Sequence, residues 1–231
     1  MAEAVVRFLA AQQNEDGIPL FAGVWAIFGH GNVAGLGPAL HAARSKLPTL
    51  RAHNEQAMAH AAIAFAKAHA RRRMMACTTS IGPGASNMVT AAAVAHVNRL
   101  PVLLLPGDIF ASRRPDPVLQ QLEAFGDPTL SVNDCFRPVS RYFDRIARPE
   151  QILTSLPAAL RVLLDPVECG PVTLAVPQDV QTEAYDYPAD FFRRRVHAVR
   201  KPLPDARELA AAVQALKRSK KPLVVVGGGV K

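Results

Sequence analysis

No apolar run in this 231-residue sequence approaches the length of a membrane span. The longest, such as "LPVLLLPG" (100–107), stop far short of the roughly 20 residues a bilayer-crossing helix needs. The N-terminus also lacks the basic flank and continuous apolar block of an export signal: Glu3 interrupts it, and Val5, Phe8 and Leu9 recur at helical spacing. A cytoplasmic location and no membrane partner are expected. Cysteine is scarce. Cys77, Cys135 and Cys169 are odd in number, widely spaced and without a C-x-x-C pair, which supports neither a disulfide framework nor a zinc site and leaves them as buried small hydrophobes. Internal repeats and low-complexity tracts are missing too. With 49% hydrophobic and 20% charged residues, the composition is that of a globular protein.

Positive charge is in excess, with a formal net charge of +8. Its clusters are Arg71–Arg73, Arg113–Arg114 and Arg193–Arg195. The first closes a predicted helix, where cations complement the negative end of the macrodipole. No helix-turn-helix, RNP or zinc-finger pattern accompanies the others, so no nucleic-acid partner is expected.

Helix and strand signals alternate along the chain. "AGVWAIFG" (22–29), "MMACTTS" (74–80), "LPVLLLPG" (100–107) and "GPVTLAVP" (170–177) are short apolar runs bounded by Gly, Pro or Ser, as strands are. Helical stretches at 36–45, 55–71, 85–98 and 149–164 separate them, the last with Pro149 near its first turn. That order predicts an α/β fold: a parallel sheet with helices on both faces. Residues 1–180 are expected to form this domain. Residues 181–203 lack a clean period and read as an extended linker, and 204–231 read as a helix and strand that begin a second α/β domain, cut off at Lys231.

In an open parallel sheet, ligands bind at the carboxyl ends of the strands, so the loops there are the places to look. Three combine small, permissive residues with a polar group: "FGHGN" (28–32), "HNEQ" (53–56) and "TSIGPGASN" (79–87). Glu55, at the start of a helix, has two readings. An acid in the first turn is stabilised by the helix dipole, by about 0.3–1 kcal/mol, and so can be a simple cap; or it can be the working group of a site. His53, His60, His69 and His96 form no ligand pattern, so no metal site is expected in this chain.

Taken together, "IFGHGNVAGLGPAL" (27–40), "NEQAMAHAAIAFAK" (54–67), "TTSIGPGASN" (78–87), "RRPDPVLQQLE" (113–123), "RPVSRYFDRIARPEQ" (137–151) and "QDVQTEAYD" (178–186) resemble the N-terminal, pyrimidine-binding domain of thiamine-diphosphate-dependent enzymes. Within that family they are most similar to the branch of trihydroxycyclohexane-1,2-dione hydrolases, which open a ring in myo-inositol breakdown. The resemblance implies that Glu55 hydrogen-bonds a ring nitrogen of the cofactor's aminopyrimidine. A carboxyl held in a dry pocket has its pKa raised, so it can share a proton with a weakly basic ring nitrogen. That sharing favours the imino tautomer, which deprotonates the thiazolium; the cofactor then carries the carbon chemistry.

The same resemblance implies that Gly29, Gly31, Ser80, Gly82 and Gly84 line the pyrimidine. His30, Asn32 and Gln120 or Gln121 are the substrate-side candidates, although His30 is equally open to a structural role. The substrate implied is a polyhydroxy cyclic dione. Family members hold diphosphate and Mg²⁺ with a G-D-G…N motif in a C-terminal domain, and no such motif occurs here; "PGD" (106–108) ends an internal strand instead. The implied cofactors are thus thiamine diphosphate and a Mg²⁺ bound outside this chain, with a site formed between subunits of a homo-oligomer. A non-catalytic fragment, or another activity of the family such as acetolactate synthesis or 2-oxo-acid decarboxylation, are the alternatives.

Overall fold

The computed structural model describes residues 1–115, 118–120 and 126–227. The chain forms two compact units, Met1–Val199 and Arg200–Lys231. In the first, α1 (Ala2–Ala10) and β1 (Gln12–Asn14) lead into β2 (Phe21–Ala26), α2 (Leu36–Ala42), β3 (Thr49–Arg51) and α3 (Glu55–Ala68). Then come β4 (Met74–Thr79), α4 (Pro83–Ser86), α5 (Val89–Asn98), β5 (Val102–Asp108), β6 (Tyr142–Arg145), α6 (Ile152–Leu163), β7 (Pro171–Pro177) and β8 (Arg195–His197).

Six strands make one parallel sheet in the order β3-β2-β4-β5-β7-β6. Alternation along the central strands divides the core between its two faces. Met74 and Ala76 of β4, with Leu103 and Leu105 of β5, pack with α1, α2 and α6. Met75 and Cys77, with Val102 and Leu104, pack with α3 and α5. Every residue of β4 and β5 is buried, which accounts for their unbroken apolar runs. Each fully buried Leu or Met here stabilises the fold by about 1.5–3 kcal/mol.

The chain runs from β2 outward to β3 and then crosses back over β2 to β4. Strand order therefore reverses at β2 and β4, and the loops leaving these two strands diverge to opposite sides of the sheet. Such a switch point opens a crevice at the carboxyl ends of the strands. The GHGN turn follows β2, and the SIGPG turn follows β4.

Several expectations change. The helix expected at 85–98 is broken into α4 and α5 around Asn87 and Met88, and the one at 55–71 ends at Ala68 because Ala70 and Arg71 adopt positive φ. The short edge strand β6 carries no alternation in the sequence; all four of its residues are half-buried. The stretch expected to be a linker from 181 is, up to Val199, part of the first unit. There β8 pairs with β1, Phe191 stacks on Phe8 at 4.8 Å, and the Tyr187 hydroxyl donates to the Pro149 carbonyl at 2.8 Å. These contacts are aromatic and long-range, so no local period announces them. Cys77 and Cys169 are buried, but Cys135 is exposed.

The second unit contains α7 (Ala206–Arg218), whose N-cap Asp205 accepts from the Arg207 and Glu208 backbone N–H groups at 2.8 and 3.2 Å. Its Leu209, Val213 and Leu216 are exposed. The strand expected within residues 204–231 does not form among the described residues. An apolar run becomes a strand only when another strand takes up its backbone hydrogen bonds. No helix among the described residues is long and apolar enough to cross a membrane.

Candidate active site

Helix α3 begins at Glu55, yet Glu55 is not its cap. Asn54 holds extended backbone angles and its Oδ1 accepts the Ala57 backbone N–H at 2.8 Å, which satisfies an otherwise orphaned donor of the first turn. The Glu55 carboxylate is left free for a distant partner. Its Oε2 accepts from Asn87 Nδ2 at 2.9 Å, a bond between residues 32 positions apart. Its Oε1 lies 3.3 Å from where a side chain at Gly84 would begin. Glu55 itself is half-buried.

The turn after β4 is shaped by glycine. Gly82 has φ +66°, and a Cβ there would come within 2.0 Å of the Gln120 carbonyl oxygen, so both conformation and space exclude a side chain. Pro83 then starts α4, and Asn87 ends it. Ser80 joins this turn to the GHGN turn: its Oγ accepts the Gly31 backbone N–H at 3.3 Å. A Cβ on Gly29 would fall 2.6 Å from that same Oγ, and one on Gly31 would fall 2.6 Å from the Ile81 nitrogen. The two turns thus pack backbone against backbone, with Glu55 on the Gly84 side. Glu55, Gly84, Ser80, Gly29 and Gly31 form one continuous group, and Gly82 closes it toward residue 120.

Asn32 is placed differently from the expectation that it faces substrate. It is buried, with 1% exposure, and its amide is used inside the fold. Oδ1 accepts the Gly29 N–H at 3.0 Å, and Nδ2 donates to the Ile27 carbonyl at 3.1 Å and to Thr78 Oγ1 at 3.2 Å. A buried amide must satisfy its own donors and acceptor, and here the turn's backbone does so. Asn32 holds the turn. His30 is half-buried and its Nε2 is shielded from solvent with no hydrogen-bond partner among the described residues. Gln120 is exposed and meets Gly82 through its backbone. Gln121 lies outside the described residues.

Three groups near the strand ends went unnamed in the sequence reading. Asn87 carries no local signal of its pairing with Glu55, 32 residues away. Gln181, buried after β7, donates from Nε2 to the carbonyls of Gly31 at 2.7 Å and Val176 at 2.9 Å, while its Oε1 accepts the Leu36 N–H at 3.3 Å. Arg145 ties the end of β5 to the segment before β6. Its Nε donates to the fully buried Asp108 at 2.7 Å, and its Nη2 donates to Asp134 and to Ser131 Oγ, each at 2.8 Å. Burial alone would push the Asp134 carboxyl up; the Ser131 N–H, Arg137 and Arg145 outweigh it and hold Asp134 below the ordinary carboxylate value. Burial pushes both buried thiols up, that of Cys169 to about 11, so neither is a nucleophile at neutral pH. A separate cavity of about 410 Å³ lies between α1 and α2, lined by Val6, Arg7, Ala39, Ala43 and Phe192 among others, and includes none of the site residues.

Comparison with known proteins gives a family match over a stretch that contains both turns. Residues 22–126 match the family described as thiamine pyrophosphate enzyme, N-terminal TPP binding domain. Over its whole length the chain is 53% identical, across 233 aligned positions, to 3D-(3,5/4)-trihydroxycyclohexane-1,2-dione hydrolase 1 of Bacillus cereus, and covers 36% of that protein. The hydrolases of the same name from Bacillus anthracis and Bacillus thuringiensis are 53% and 52% identical, with the same coverage. The chain spans about a third of the length of these curated relatives, whose N-terminal portion it resembles.

The residues present fit the pyrimidine end of thiamine diphosphate. A carboxylate with one oxygen held by Asn87 and the other beside a glycine suits a flat ring that carries a nitrogen at its edge. Among the described residues no group of three His, Cys, Asp or Glu is placed to hold a metal ion.

Proposed function

We propose that this chain is the pyrimidine-binding portion of a thiamine-diphosphate-dependent hydrolase that opens a trihydroxycyclohexane-1,2-dione by carbon–carbon cleavage, yielding a deoxy-glucuronate in myo-inositol degradation. One observation carries the reading. Glu55 is relieved of helix capping by Asn54 and stands with Oε2 on Asn87 and Oε1 beside Gly84, both in the glycine-bearing segment after β4. The comparisons add the choice of reaction, through the names of the relatives.

In this reading Glu55 is the acid/base group, exchanging a proton through Oε1 with the nitrogen at the ring edge. Gly84 leaves the space beside Oε1 clear for the ring, Gly29 and Gly31 let the two turns pack together, and Ser80 holds them in register. His30, on the same turn as Gly29 and Gly31, is the substrate-side group. The thiazolium of the bound cofactor supplies the carbon nucleophile that a protein side chain cannot. Mg²⁺ and the diphosphate are held by another polypeptide region. Glu55 is only half-buried here, so a dry pocket requires a second unit to cover it, and we assign that role to another subunit of a cytoplasmic homo-oligomer.

The test is turnover by the protein expressed from its complete reading frame. Ring opening of the cyclic dione, followed by mass spectrometry of the acid released, is expected, and Glu55→Gln abolishes it. Consumption of pyruvate in place of the dione assigns the protein to acetolactate synthesis or 2-oxo-acid decarboxylation. Full activity of Glu55→Gln removes the basis of the proposal.

A further inference from the structure

We infer that Asn87 is a positioning residue that sorts the two oxygens of Glu55, making Oε1 the proton-exchanging atom. The inference rests on the reading of Glu55 given above and extends it to a residue on a different loop. An amide N–H can donate only to a lone pair. While Asn87 Nδ2 sits 2.9 Å from Oε2, that oxygen is an acceptor, and placing the carboxyl proton on it would weaken the bond, because a hydroxyl oxygen accepts less strongly than a carbonyl oxygen. A proton taken up by Glu55 is therefore favoured on Oε1, the oxygen beside Gly84.

The arrangement is built from two separate loops. Glu55 opens α3 after β3, and Asn87 closes the single-turn α4 after β4. Gly84 lies on the same short helix as Asn87, so one element both holds Oε2 and keeps the space beside Oε1 clear of side chain. Asn54 completes the sorting, because by capping Ala57 it leaves the carboxylate out of competition for the helix N–H groups. A bond to a charged acceptor is among the stronger kinds, and it fixes a side chain that otherwise has several rotamers.

The first experiment reads the chain without cofactor. In a ¹⁵N-labelled sample, the side-chain amide protons of Asn87 are expected to shift in a titration step as the carboxylate is protonated, and Glu55→Gln is expected to abolish that step. Absence of the step in the parent chain overturns the inference. The second uses the enzyme from the complete reading frame. Asn87→Ala is expected to lower kcat by about 10- to 100-fold, the range for losing a hydrogen bond to a charged group, with KM for the dione changed little. Asn87→Asp is nearly isosteric and provides the sharper test. A protonated aspartic acid can donate where the amide did, whereas an ionised one repels Glu55. Activity should return on the acid side of the pH profile and vanish on the alkaline side. A merely structural role predicts the same loss at every pH, and that result also overturns the inference. If Glu55→Gln is inactive while both Asn87 variants behave like the parent, the inference fails and the reading of Glu55 stands. If Glu55→Gln is active, the reading itself has failed.

Discussion

The side-chain amide of Gln181 donates to the carbonyl oxygen of Gly31 at 2.7 Å, joining positions 150 residues apart in the chain. Through its other contacts to Val176 and Leu36 it clamps the GHGN turn between the end of β7 and the start of α2. The GHGN turn is thus held by a residue that follows β7.

Replacing Gln181 by Leu keeps roughly the volume and removes all three bonds, leaving backbone groups of Gly31, Val176 and Leu36 without these partners. The expected cost is at least the about 1–3 kcal/mol of one unsatisfied buried polar group. Urea denaturation should show a lower midpoint with an unchanged slope.

Gly82→Ala places a methyl group within 2.0 Å of the Gln120 carbonyl oxygen and forces a non-glycine residue to φ +66°. A positive φ with ψ −120° is a sparsely populated conformation for a residue with a Cβ and costs on the order of 1–3 kcal/mol, and the clash adds to it. Among the described residues no heavy atom lies within 4 Å of a Cβ added at Gly126, so Gly126→Ala is the neutral control. Thermal unfolding of the two variants should separate them clearly.

Arg145→Met leaves Asp108 fully buried without its cation, a change that costs about 3–5 kcal/mol when a buried pair is broken. The same cluster predicts acid sensitivity. Asp134 is held below its ordinary value of 3.8, so its contribution is fully present above that pH and is lost as pH falls through the lower, folded-state value. Acid unfolding monitored by circular dichroism should shift to higher pH in Arg145→Met.

His197 opposes protonation. Gln12 donates to the Phe8 carbonyl at 2.7 Å, so its Oε1 is the acceptor and His197 Nε2, 2.8 Å away, carries the hydrogen. Burial, and secondarily the charge of Arg195, lower the imidazole below its ordinary 6.5. The folded state then binds fewer protons than the unfolded one, and stability declines as pH falls from about 6.5 toward the folded value. His197→Gln should flatten the dependence of Tm on pH across this interval.

Much of the architecture is legible in the residues themselves. The buried runs of β4, β5 and β7, the alanine-rich spacing of α3 and the glycines after β2 and β4 are local patterns, and local sterics act on them directly. The β1–β8 pair and β6 are not legible. They are short, and each exists only because a partner far away in sequence supplies its hydrogen bonds.

Asn32 and Asn87 show where the division falls. Both are asparagines in glycine-containing turns after strands, and by sequence alone Asn32 is the better candidate for the site. The composition and periodicity of the chain determined that a parallel sheet would form and that these turns would cluster at its carboxyl end. Tertiary structure decided which amide turned inward to Thr78, 46 residues away, and which reached Glu55, 32 residues away. A side chain's direction depends on the donors and acceptors around it once the chain has folded, and those come from strands that a local reading cannot bring together.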